Sequence, residues 1–108
     1  MAATGRPIEI EFTPLVDSTV QVTVTFSAAG SGSDWGAGHF AKAFCEQDGS
    51  TSYGLSASLA NARGYYTVMG SFDVVAGQLV KCGLYAGVSG AASITLYDVN
   101  GKAQVTGL

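Results

Sequence analysis

Charge is what this sequence has least of. Five Lys and Arg and eight Asp and Glu in 108 residues make 12% charged, about half the usual share. Arg6, Lys42, Arg63, Lys81 and Lys102 are scattered singly. Nucleic-acid binding needs cations clustered against phosphates, so nucleic acid is not an expected partner. An anionic membrane surface is disfavoured for the same reason. No apolar run approaches the roughly 18–20 residues that span a bilayer, so membrane insertion is not expected. The opening MAATGRPIEIEF lacks the basic segment and apolar run of a secretion signal. The expectation is a chain kept inside a cell, released by lysis as virion proteins are, or trimmed from a longer one.

Cysteine and histidine are nearly as scarce. Cys45 and Cys82 fit one disulfide or two buried thiols, since free Cys packs as a small hydrophobe. Without a secretion signal, reduced thiols are expected. His39 is the only histidine. A Ser-His-Asp device needs it beside a nucleophile and an orienting acid. Asp34 lies five residues earlier, but no nucleophile-elbow pattern is present, so a small hydrolase is only the competing expectation. His39, Cys45 and Cys82 lack the CxxC or HxxxH spacing of a zinc site. Asp34, and Glu46 with Asp48, do not resemble a calcium loop and are expected to be turn residues. Glu9 and Glu11 share one strand face, where an exposed acidic surface is expected. No GxGxxG opens a helix, so Gly36, Gly38 and Gly54 carry no dinucleotide signal. The expectation is a non-enzymatic protein without catalytic residues, metal or cofactor.

What the sequence does have is alternation. In STVQVTVTF (18–26), Val20, Val22, Val24 and Phe26 alternate with Thr19, Gln21, Thr23 and Thr25. Strand side chains point to opposite faces with a period of two, so this strand is buried on one side and wet on the other. Similar segments fall at 7–13, 39–46, 52–59, 65–75, 79–88, 92–98 and 102–108. Between them lie a Gly/Ser-rich loop at 29–38 and turn residues at 47–50, 61–64, 76–77 and 89–90. Asp48-Gly49 and Asn100-Gly101 are hairpin pairs. Ser56–Arg63 is the best helical candidate, but Gly54 and Gly64 bracket it.

About eight short strands with frequent turns predict a single all-β domain after a flexible 1–6, an antiparallel β-sandwich of jelly-roll type. The expected core is Ile8, Ile10, Val20, Val22, Val24, Phe26, Phe40, Phe44, Val68, Phe72, Val80, Leu84, Ile94 and Leu96. Tyr53, Leu55, Ala57 and Leu59 are expected to face inward as well.

The remaining feature is aromatic. Trp35, the only tryptophan, sits beside Asp34 in the Gly/Ser-rich loop, and Tyr65-Tyr66 follow a turn. Flat rings beside a carboxylate can stack on sugars and bond their hydroxyls. Asp34, Trp35, Tyr65 and Tyr66 are therefore the candidate ligand-binding residues, with a cell-surface glycan as candidate partner. The plainer expectation for Trp35 is packing at the end of the sandwich or in a subunit interface.

GSFDVVAGQLVKCGLYAG (70–87) followed by SITLYDVN (93–100) resembles the C-terminal half of trimeric complement-globular-head and tumour-necrosis-factor-like jelly rolls. Similar modules occur on phage tail fibres and virion surfaces. Phe72, Gly77, Leu79 and Leu84-Tyr85 stand at the family's aromatic, turn-glycine and alternating positions. The aromatic-to-glycine spacing is one residue short, and Leu79 and Lys81 replace the usual aromatics. The resemblance implies a homotrimer and a structural or receptor-binding role in a phage or virion particle. Uncharged outward groups, Met69, Leu79, Tyr85 and the 19–25 threonine row, also favour self-association. A free carbohydrate-binding module is the alternative.

Overall fold

The structure, a computed structural model, describes residues 5–31, 40–59, 63–87 and 93–107. Their order is β1 (Gly5–Phe12), β2 (Ser18–Ser31), β3 (Phe40–Gln47), β4 (Ser50–Tyr53), β5 (Ala57–Ser58), β6 (Gly64–Val74), β7 (Val80–Gly87) and β8 (Ser93–Gly107). The expected eight-stranded antiparallel β-sandwich holds, and no described residue is helical. The larger sheet runs β1-β7-β3-β4, with β5 also on β3, and the smaller runs β6-β2-β8.

β2 centres the smaller sheet, as its alternation requires. Val20, Val22, Val24, Phe26 and Ala28 are all buried. They meet Val68, Phe72 and Val74 of β6 and Ala41, Ala43, Val80, Cys82, Leu84 and Ala86 of the larger sheet in one core. Each large aliphatic side chain withdrawn this way contributes about 1.5–3 kcal/mol. The Asp48-Gly49 hairpin forms as expected, with φ of 53° and 73° and Gln47 paired to Ser50.

Gly5 and Arg6 belong to β1 rather than to a flexible 1–6, and 29–31 continue β2 along β8 rather than opening the loop. Four further expectations need correction. First, β3 presents its other face: Ala41, Ala43 and Cys45 face the space between the sheets, while Phe40, Lys42 and Phe44 lie on the outer face. The space between the sheets is already filled by Phe26, Phe72 and Leu59, so β3 supplies small side chains there. Phe44 is nonetheless fully buried, because Arg6 covers its ring. Second, Cys45 and Cys82 are disulfide-bonded, not reduced. They are directly opposite across β3 and β7, 4.3 Å apart at Cα, both facing the core.

Third, Asn100-Gly101 makes no hairpin. β8 continues through it as a single 15-residue strand along β2. A β-bulge sets Asp98 and Val99 against Phe26 alone, between the pairs Tyr97–Ser27 and Asn100–Thr25. Asp98 takes φ 51°, a left-handed conformation that Asp tolerates better than most residues. The bulge shifts the alternation by one residue. Leu96 and Val99 therefore both pack on the core, as does Ala103 further on. Fourth, 52–59 divides into β4 and β5 around Gly54. Ile10, Tyr53 and Leu55 are exposed, while Leu59 is buried. The side chain of Ile94 lies outside the described residues.

The sandwich closes on one side and stays open on the other. At the closed side Gly54 donates its N–H to the Ala43 carbonyl at 2.9 Å and lies against Met69 and Gly70 of β6. A methyl group on Gly54 would overlap the Met69 carbonyl oxygen. At the open side the edge strands are β1 and β8, with the Ile8 side chain approaching Gly101. An apolar slot there is lined by Ile8, Ile10, Val22, Val24 and Gly101 among others.

Candidate functional site

Of the four ligand-binding candidates, Asp34 and Trp35 lie outside the described residues, as does His39. Tyr65 and Tyr66 are adjacent on β6, so they point to opposite faces. Tyr66 turns inward and stacks on Phe26, ring centroids 5.6 Å apart. Tyr65 stands on the outer face and is 84% exposed. Their rings face apart, although both residues line one shallow groove.

Tyr65 has other company. β2 pairs Ser27 with Tyr65 on one side and with Tyr97 on the other. Arg63 lies over this row. Its Nε and Nη2 donate to Ser27 Oγ at 3.3 and 3.2 Å, and its Cζ sits 4.0 Å from the centre of the Tyr97 ring. Nη2 is also 3.7 Å from Asp98 Oδ2. The bulge brings Asp98 to this groove, lined also by Thr25, Phe26, Ser27, Tyr65, Tyr66 and Thr67. The groove thus offers one free aromatic face, one carboxylate and two threonines. Arg63, Tyr97 and Asp98 were not legible as site residues, because their meeting depends on the β2–β8 register and its bulge.

A second aromatic group covers the larger sheet. Lys42 Nζ lies 4.2 Å from the centre of the Tyr53 ring, with the Phe40 and Tyr85 rings at 5.5 and 5.6 Å. The protein's own ammonium occupies this cluster. Nearby, Arg6 Nη1 donates to Glu46 Oε1 at 2.6 Å and Glu9 Oε2 at 3.2 Å. Burial opposes the Arg6 charge, but the bonds to Glu46 and Glu9 outweigh it and hold its pKa above the usual value.

The open side carries a different kind of surface. Ile10 and Val105 occupy core-facing register positions, opposite Cys82 and Val20, yet each is 44% exposed. Among the described residues no strand pairs with the outer edge of β8. No group of three His, Cys, Asp or Glu lies together among those residues. Compared with known proteins, the chain matches no family model, no curated protein and no solved structure.

Proposed function

We propose that the chain is a non-enzymatic structural or receptor-binding module that assembles with copies of itself through the open β1–β8 side. The observation that carries this reading is the exposure of Ile10 and Val105 at the edge strands β1 and β8, the latter 15 residues long and without a partner on its outer edge among the described residues. Apolar surface in water costs about 25 cal/mol per Å² relative to burial, and a second copy on this side removes that cost. An unpaired strand edge also offers a row of backbone donors and acceptors to another chain. Scarce charge leaves little repulsion between copies. The resemblance of 70–100 to trimeric heads supports a trimer over a dimer, and a place in a phage or virion particle. A cyclic trimer uses a heterologous contact and a two-fold pair an isologous one. Light scattering of Ile10→Lys and Val105→Lys tests the surface. Both variants are expected to have a lower mass than the wild type, and unchanged masses would remove the β1–β8 side from consideration.

A further inference from the structure

We propose that the outer face of the smaller sheet, around Tyr65 and Asp98, is a binding site for neutral saccharides. The proposal rests on the receptor-binding half of the function above and names its ligand chemistry. It needs neither Asp34 nor Trp35.

The groove matches the two-sided chemistry of a sugar. A pyranose ring has an apolar face of C–H groups and a rim of hydroxyls. Tyr65, 84% exposed, offers a flat face for the first. The Asp98 carboxylate, also 84% exposed at its side chain, accepts hydroxyl hydrogens, and Thr25 and Thr67 line the same groove. Asp98 is placed there by the bulge, at a φ of 51° that Asp tolerates better than most residues.

Charge and shape narrow the ligand. Arg63 and Asp98 offset each other, so the site has no net charge to attract an anionic sugar. Arg63 Nε and Nη2 are engaged by Ser27, and its Cζ lies over the Tyr97 ring. These contacts hold Arg63 beside the groove before any ligand arrives, which lowers the ordering cost of binding. The cation clusters that a nucleic acid requires are lacking, although Tyr65 could stack on a base.

The test is a titration of the whole ¹⁵N-labelled chain with methyl glycosides of glucose, galactose, mannose and N-acetylglucosamine, alongside a glycan array. At least one neutral sugar is expected to shift amides of Thr25, Tyr65, Thr67 and Asp98. Tyr65→Ala, with a spectrum still dispersed, is expected to weaken binding at least about tenfold, roughly 1.4 kcal/mol. Tyr53→Ala, on the other sheet, is expected to bind as wild type. Equal binding by Tyr65→Ala, or stronger binding of N-acetylneuraminic acid than of any neutral sugar, overturns the proposal. Shifts confined to other residues overturn this site and leave the receptor-binding reading standing. A blank array with a blank titration overturns the saccharide proposal alone, while the assembly reading is judged separately by mass.

Discussion

The guanidinium carbon of Arg6 sits 4.2 Å from the centre of the Phe44 ring. Phe44 points away from the space between the sheets, yet none of it reaches solvent. A basic residue at the start of β1 thus seals an aromatic on the outside of β3. Glu46 and Glu9 hold the lid in place by accepting from the same nitrogen. Arg6→Ala removes the cation over the ring and the stem that covers it. The expected loss is about 1–2 kcal/mol of stability, seen as a lower urea midpoint. Arg6→Lys should recover part of it. A midpoint equal to wild type for Arg6→Ala would mean that the lid contributes nothing.

The Cys45–Cys82 bond joins the central strands β7 and β3 across 37 residues of sequence. Closing a loop of that length in the unfolded chain is worth about 4 kcal/mol on the chain-entropy account. The purified protein, unfolded without reductant, should show no titratable thiol. Cys45→Ala combined with Cys82→Ala should lower the midpoint sharply. Two free thiols in the unreduced protein would contradict the bond.

Gly54 and Gly70 meet where the sandwich closes, and neither has room for a side chain. A methyl on Gly54 meets the Met69 carbonyl, and one on Gly70 meets the Phe72 ring at 2.5 Å. Gly54→Ala is expected to cost about 1–3 kcal/mol, because backbone must move. Gly70→Ala should cost less if the ring of Phe72 rotates away. Equal stability of Gly54→Ala and wild type in urea would show the two edges are not in contact.

The bulge at Asp98 makes its own prediction. Asp98→Gly should leave stability equal or slightly higher, since glycine takes a positive φ freely. Asp98→Val should lower it by about 1–2 kcal/mol, since a β-branched side chain resists that conformation. Both follow from thermal or urea unfolding. If Asp98→Val is harmless, β8 does not bulge there.

The inward face of β2 was legible over 20–26 because Val20, Val22, Val24 and Phe26 are large and β-branched or aromatic, whereas its run through 29–31 was hidden by small Gly/Ser-type residues that read as loop. β3 misled on its facing: Phe44 is buried as expected, but it and Phe40 turn away from the space between the sheets, which Ala41 and Ala43 enter instead. Size identifies the buried face only when the facing sheet leaves room, and the outer lid of Arg6 is 38 residues away from Phe44 in sequence. At β8 the alternation changes phase between Leu96 and Ala103, which two short strands explain as well as one bulged strand does. Only the 14-residue partner β2 decides between them. Of the binding candidates, the opposite facing of Tyr65 and Tyr66 followed from the same alternation rule. The addition of Arg63, Tyr97 and Asp98 to Tyr65 did not, since it is set by register between strands distant in sequence.

The central claim is that this chain works as an assembly of its own copies. Multi-angle light scattering of the wild-type protein at micromolar concentration tests it most directly. The account predicts a mass that is a multiple of 11.0 kDa, with three copies expected. A single species of 11.0 kDa would contradict it.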